Sequence, residues 1–325
     1  MEINGGIIQA NETNSAAMGG TELIAYKIAE ILPRDLLEYF QIIHSRVREV
    51  DDNKIKILVL HDLPGDPESD HLKQGGWNKF DKLVFVSNWQ MQAYQKHYGL
   101  PWHKCVVLHN AIEPIPYVEK PKDKIKLIYH TTPHRGLNIL VSVFDNLCKE
   151  FDNIELDVYS SFKIYGWEQR DEPYKELFEY CRAHPKINYH GTVPNSEIRT
   201  ALQKAHIYAY PNIWQETSCI SLLEAMSAGL MCVHPNYGAL YETSSNWTWM
   251  YQWQENAKDH AKIFYELTSN AIRLYNHQDT SKTLLAQKAY TDAFYGWHNR
   301  KNQWQNLLIS MLADHKRINY RPEGT

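Results

Sequence analysis

Short apolar runs rich in β-branched residues alternate along this chain with longer segments of helical periodicity. That alternation, more than any other feature, limits the fold to an α/β architecture with parallel sheets. In the first third, residues 6–9, 56–60 and 83–86 predict strands, and residues 21–32 and 88–98 predict helices. Leu23, Ile24, Ile28, Ile31 and Leu32 share one stripe at helical spacing.

The pattern breaks once. Residues 113–124 are polar and hold three prolines, Pro114, Pro116 and Pro121, the composition of an interdomain linker. A fresh strand, 125–130, then restarts the alternation: helix 138–151, strand 154–160, helix 173–183, strand 188–191, helix 195–205, strand 207–210, helix 219–228 and strand 231–234. From Ala257 onward the pattern is helical to the end. A length of 325 residues suits about two domains, and we expect them at 1–118, joined by 298–325, and at 119–297.

Composition excludes several function classes. A formal charge of -4 gives no global attraction to nucleic acid or to anionic lipid, so any anion must be bound by a local site. The five cysteines are scattered without metal-ligand spacing, and residues 1–14 hold no apolar core flanked by basic residues. Together these predict a reducing, cytoplasmic setting. No stretch approaches the ~20 apolar residues that span a bilayer, and docking on a membrane surface stays open.

The most informative segment runs from Tyr210 to Gly229, Tyr-Pro-Asn-Ile-Trp-Gln-Glu-Thr-Ser-Cys-Ile-Ser-Leu-Leu-Glu-Ala-Met-Ser-Ala-Gly. A strand ends, a loop bears Glu216, and a helix expected to begin near Ser218 carries Glu224 in its second turn. Were the whole run helical, eight residues would separate the carboxylates by roughly 12 Å, about the span from hexose to ribose in a nucleotide sugar. The diphosphate between them would meet the free N–H groups and the dipole at the helix start. The plain alternative is an amphipathic helix with solvated glutamates, and spacing alone does not choose between the two.

With Tyr-Pro-Asn before it and Ala-Met-Ser-Ala-Gly after it, this Glu-x7-Glu segment resembles the donor motif of retaining GT-B glycosyltransferases, family 4 in particular. Pro133-His-Arg-Gly-Leu137 stands where that family has Pro-Glu-Lys-Gly-Leu, so Arg135 matches a phosphate-binding lysine. Five residues earlier, His130 replaces the family's usual arginine. Met18-Gly-Gly-Thr-Glu22 resembles the family's glycine loop, in which Gly19 and Gly20 let backbone approach phosphate. His61, at the end of the strand 56–60, matches a histidine facing the acceptor side. Val86-Ser87-Asn88 and His109-Asn110-Ala111-Ile112 match further family segments, and Trp297 and Trp304 fit its closing helix. The first lobe is short for the family, and the shortage lies between the first helix and His61, as if a strand–helix unit were missing.

The resemblance implies two Rossmann-like lobes facing a cleft, with a C-terminal helix crossing back to the first. It also implies sugar transfer, with retention, from a nucleoside diphosphate sugar (UDP- or GDP-linked) to a glycan, lipid, protein or small-molecule acceptor. Glu216, Arg135 and His61 would serve catalysis. Gly19, Gly20, His130, Thr132, Thr217, Ser218, Cys219, Ile220 and Glu224 would hold the donor, with base choice set by the loops at 160–163 and 191–194. Neither cofactor nor metal is expected: Asp62, Asp66 and Asp70 share a loop without a metal-binding context, and no two histidines pair at i,i+4 with a glutamate. Two rivals of the same architecture are a sugar-nucleotide 2-epimerase and a non-catalytic homologue that binds sugar nucleotide or a partner.

Overall fold

A computed structural model describes residues 8–9 and 19–319, which fall into two compact units. The first comprises residues up to Ala111 together with those from Trp297 on, and the second runs from Ile112 to Gly296.

The first unit is a parallel sheet of β1 (Ile8–Gln9), β2 (Phe40–His44), β3 (Ile55–Leu60), β4 (Lys82–Phe85) and β5 (Cys105–Val107), in that spatial order. Its helices are α1 (Gly20–Ile31), α2 (Arg34–Leu37) and α3 (Asn88–Tyr98). Helix α1 buries Ile24, Ala25 and Ile28, part of the stripe seen in the sequence. β2 is buried at all five residues, and no strand is predicted there from sequence pattern. With α2 it supplies the helix–strand pair that lies between α1 and His61. Helix α3 is capped by Ser87, whose Oγ accepts from the Gln90 amide 3.0 Å away, and it ends at Gly99 in the left-handed region, φ 67°. The Val86-Ser87-Asn88 segment is therefore a helix start.

In the second unit the chain builds β6 (Ile125–Tyr129), α4 (Leu137–Glu150), β7 (Ile154–Val158), α5 (Lys175–Ala183), β8 (Ile187–Tyr189) and α6 (Asn195–Lys204). It continues through β9 (Ile207–Ala209), α7 (Ile220–Ser227), β10 (Met231–Pro235), α8 (Leu240–Ser244), β11 (Trp249–Tyr251), α9 (Ala257–Leu274) and α10 (Gln278–Tyr295). The sheet order is β11-β10-β9-β6-β7-β8, all parallel. Counted from β6, this is the doubly wound order in which strand succession reverses beside the first strand, here between β6 and β9. Ligands bind such sheets at the carboxyl ends beside that switch point. Helix α7 is buried at every residue from Leu222 to Ser227, because it is packed between β10 and α10.

The long tail is three helices. α9 and α10 belong to the second unit, and α11 (Trp297–Asn319) to the first, where it packs against β3 and buries Trp304. The two points at which the chain passes between units are paired: Ile112 bridges Gly296, and its amide donates to the Tyr295 carbonyl at 2.9 Å. A Cβ on Gly296 would lie 2.4 Å from the Asp292 carbonyl, so a side chain there would force the backbone apart. The Pro-rich stretch lies with the second unit. No helix among the described residues is long and apolar enough to cross a membrane.

Candidate functional site

Two loops leave the sheet on either side of the switch point, one after β6 and one after β9, and both Arg135 and Glu216 ride on them. Arg135 ends a short 3₁₀ turn, Pro133–Arg135, which passes into α4 through Gly136 at φ 113°. A Cβ on Gly136 would fall 2.2 Å from the Pro211 carbonyl, so the two loops touch backbone to backbone. That contact lets Arg135 Nη1 donate to Glu216 Oε1 in an ion pair. Tyr210 O–H donates to the same oxygen at 2.5 Å.

Glu216 is held from the other side as well. It bridges Gly238, and its carbonyl accepts from the Ala239 amide at 2.7 Å. A Cβ on Gly238, φ 65°, would lie 2.5 Å from both the nitrogen and the oxygen of Glu216. Glu216 is 3% exposed and Glu224 7%. Solvated glutamates on an amphipathic helix are thereby ruled out. The spacing argument needs correction too: α7 begins at Ile220, so the residues from Glu216 to Cys219 are loop, and the eight-residue interval is not a helical rise.

Donors converge on this place. The first turn of α7 has no side-chain cap, which leaves its amides for an anion. Thr217, Ser218, Cys219 and Ile220 lie at that start. The Thr132 hydroxyl and Arg135 Nε are buried and lack partners among the described residues. Orphaned donors of this kind cost stability unless a ligand completes them. Burial pushes the Cys219 thiol up to about 12, so it is a protonated wall of the site and no nucleophile.

His130 does not supply the charge of the arginine it replaces. Burial lowers its pKa to about 3, and the Ser221 backbone offsets only part of that. Its ring lies against Tyr208, with centroids 5.0 Å apart, and it is neutral at physiological pH. Sequence alone permits a titratable positive charge here; the structure leaves Arg135 as the fixed one on this loop. His134 is likewise lowered to about 4, first by burial and then by Arg135 and Arg170.

Beyond Glu216, Glu224 receives the Asn195 side-chain amide at 3.2 Å and Arg199 at 3.7 Å, both on Oε1. On the β7–β8 side, a cavity of about 600 Å³ is lined by Ser161, Lys163, Asp171, Arg182, Tyr189 and Gly191. Residues of the loops after β7 and β8 thus line one cavity.

The first unit places its residues at strand ends of its own sheet. Gly19 caps α1 and Gly20 is its first residue, again without a side-chain cap. His61 follows β3, and its Nε2 lies 3.0 Å from Nδ1 of His44, at the end of neighbouring β2. The rings stack with centroids 5.3 Å apart. Burial lowers His61 to about 4, and burial and then His61 lower His44 well below the usual value. The loop is fixed by Gln90, which donates to the Leu60 and Asp62 carbonyls at 3.1 and 2.9 Å, and by Ser45, whose hydroxyl accepts from the His61 amide. Sequence reasoning missed His44, Tyr210, Asn195 and Arg199. For His44, Tyr210 and Asn195 the one signal is a position at a strand end or a helix start, and Arg199 follows Asn195 by one helical turn.

Two parallel α/β sheets, the second doubly wound and bearing a buried carboxylate–guanidinium pair at its switch point, define the class: a GT-B fold. Residues 113–277 match the model of the family glycosyl transferases group 1, and the chain belongs to that family. One curated relative is a phosphatidylinositol N-acetylglucosaminyltransferase component from Arabidopsis thaliana, 25% identical over 172 residues; the match covers 50% of this chain and 36% of the relative, so this chain aligns with about a third of that protein. Among solved structures, a glycosyltransferase from Rickettsia africae superposes with a TM-score of 0.68 at 16% identity, covering 96% of this chain and 84% of the other. HepE of Anabaena, solved in complex with UDP-glucose, gives 0.64 at 13% identity, covering 89% and 83%.

Proposed function

We propose that the protein transfers a hexose or N-acetylhexosamine from a UDP-sugar to an acceptor hydroxyl, with retention at the anomeric carbon. The observation that carries this reading is the Arg135–Glu216–Tyr210 cluster at the switch point of the second sheet, beside uncapped α7 amides. UDP is favoured as the nucleotide because the Anabaena neighbour holds UDP-glucose.

In this reading Glu216 accepts the sugar hydroxyls, and Glu224 accepts the ribose diol. The base enters the cavity between Ser161 and Gly191. As the glycosidic bond breaks through an oxocarbenium-like state, negative charge grows on the diphosphate. Arg135 can keep Nη1 on Glu216 and turn its unpartnered Nε to phosphate, and the amides at the start of α7 face the same charge. The sugar grip and the charge grip are thus tied to one guanidinium. The family resemblance assigns Gly19 and Gly20 of the first unit to the donor phosphates and His61 to catalysis on the acceptor side, with His61 acting as a neutral imidazole. No side chain serves as nucleophile, and the departing phosphate takes the acceptor proton.

A non-catalytic nucleotide binder is the second reading, favoured by the neutral His130 where the family has an arginine. One experiment separates them: incubate the protein with UDP-glucose, UDP-N-acetylglucosamine and their GDP counterparts, and measure released nucleoside diphosphate together with the anomeric proton signals. Transfer or slow hydrolysis with retained configuration is expected. Tight UDP binding without any release would support the non-catalytic reading, and an epimerised donor would support the 2-epimerase.

A further inference from the structure

The carboxylate assigned to the ribose sits in an unfavourable place. Glu224 is almost wholly buried, and burial raises its pKa above the usual carboxylate range. A protonated carboxyl offers one oxygen as a donor, whereas a diol needs acceptors. Something must hold the ionised form.

Helix α6 carries that device. Asn195, Arg199 and Gln203 are spaced at i, i+4 and i+8, on one face of the helix. Asn195 Nδ2 donates to Glu224 Oε1, and Arg199 Nη1 lies 3.7 Å from the same oxygen. Both fall on Oε1, and no hydrogen bond among the described residues falls on Oε2, which is left for a ligand. Arg199 cannot swing away, because its guanidinium also donates to the Glu113 and Pro114 carbonyls, each at 3.0 Å. Gln203 adds a bond to the Pro116 carbonyl at 3.1 Å. That stretch is in turn fastened to α7, where Ile115 N–H donates to Ser227 Oγ at 2.9 Å and Lys120 donates to the Ala228 carbonyl at 3.0 Å.

Other titratable groups packed around α7 do not serve Glu224. Lys288 and Asp292 of α10 pair with each other, and Lys288 also donates to Ser227 and Ile115 carbonyls. His234 of β10 is held neutral by burial, its pKa lowered to about 4, and is bonded to Thr248. Glu242 of α8 engages Tyr295 through its carbonyl.

We infer that Asn195 and Arg199 are positioning residues for nucleotide binding: they keep Glu224 ionised with Oε2 presented, and the Pro-rich strap 113–116 locks Arg199 in that role. This rests on the reading of Glu224 as the ribose acceptor, and the test keeps the two apart. UDP and 2′-deoxy-UDP are titrated calorimetrically from pH 5 to 8 into the wild type, Glu224→Gln, Arg199→Gln, Arg199→Lys and Asn195→Ala, with circular dichroism confirming fold. GDP and 2′-deoxy-GDP replace them if the wild type prefers guanosine.

Glu224→Gln, in which only the nucleotide phosphate titrates, gives the baseline. Arg199→Gln is expected to weaken UDP roughly tenfold at pH 6, the scale of one charge-assisted hydrogen bond. Its affinity should fall with acid at a higher pH than in the wild type, since Glu224 then protonates sooner. 2′-Deoxy-UDP should change less. Arg199→Lys should return the midpoint toward wild type, and Asn195→Ala should shift it in the same sense as Arg199→Gln by a smaller amount. An unchanged midpoint and unchanged UDP affinity in folded Arg199→Gln would overturn the inference while leaving Glu224 as ribose acceptor. Full UDP affinity and an intact ribose preference in Glu224→Gln would instead remove the reading beneath it, as would binding of neither nucleotide by the wild type.

Discussion

Both units bring polar side chains to the carboxyl ends of neighbouring parallel strands, yet they handle charge in opposite ways. In the second unit Arg135 and Glu216 form an ion pair across two loops in backbone contact. In the first, His44 and His61 share a hydrogen bond and are both kept neutral by burial. The fixed charge suits the diphosphate stabilisation proposed for Arg135. A neutral pair of this kind can donate and accept hydrogen bonds without net charge, which suits the hydroxyl-binding role proposed for His61.

The sharpest way to break the comparison is at Glu216. Glu216→Gln is expected to lower kcat by roughly 10²-fold, the scale for loss of one transition-state contact. Bare UDP affinity should change little, since the partner of Glu216 is the sugar. If bare-nucleotide affinity fell here and not in Glu224→Gln, the two ends of the donor would be assigned the wrong way round.

The pair itself predicts a stability effect. Arg135→Ala leaves Glu216 buried without its cation, and denaturant unfolding should register a loss of about 3 kcal/mol. Adding Glu216→Gln should recover most of that stability without recovering turnover. Full additivity of the two losses would mean that the residues are not coupled in solution.

The neutral histidines give a smaller, graded effect with a definite sign. His61 and His234 titrate near 4 in the fold and near 6.5 unfolded, and His130 near 3. Below 6.5 the unfolded chain binds protons that the fold refuses. Stability is therefore fully present above pH 6.5 and is lost as pH falls toward 4, at up to about 1.4 kcal/mol per unit for each histidine. His130→Phe should flatten that slope, as urea titrations at pH 7, 6 and 5 would reveal. A steeper slope would mean that His130 is protonated in the fold. Its effect on turnover should be flat from pH 6 to 8.

The smallest expected effect is that of chelation. Arg135 and backbone amides carry the leaving charge, so EDTA should leave turnover unchanged. Loss of activity restored by Mn²⁺ or Mg²⁺ would take the burden away from Arg135.

The alternation of strand and helix and the segment around Glu216 were legible because they are local patterns. α1, α3 and β6 follow from periodicity and turn chemistry within a few residues. β2 was missed because Phe40–His44 is short and follows the sole turn of α2, so no window isolates it. Tyr210 was visible only as part of a motif; that its hydroxyl reaches Glu216 depends on the bend at Pro211 and on Gly238. Asn195 and Arg199 lie 29 and 25 residues before Glu224 and meet it only because β9 places α6 beside α7. His130 shows the limit most clearly, because composition gives a titratable group and burial alone decides that it carries no charge.

The central claim is that Arg135 anchors the donor phosphates while holding Glu216. Steady-state kinetics on folded Arg135→Ala and Arg135→Lys with the preferred UDP-sugar test it most directly. A guanidinium forks onto two phosphate oxygens, and a lysine can replace its charge but not its geometry. With His130 neutral, no second cation on that loop compensates. The account predicts a fall in kcat of at least about 10²-fold for Arg135→Ala, with measurable activity kept by Arg135→Lys. Near-normal turnover in folded Arg135→Ala would contradict it.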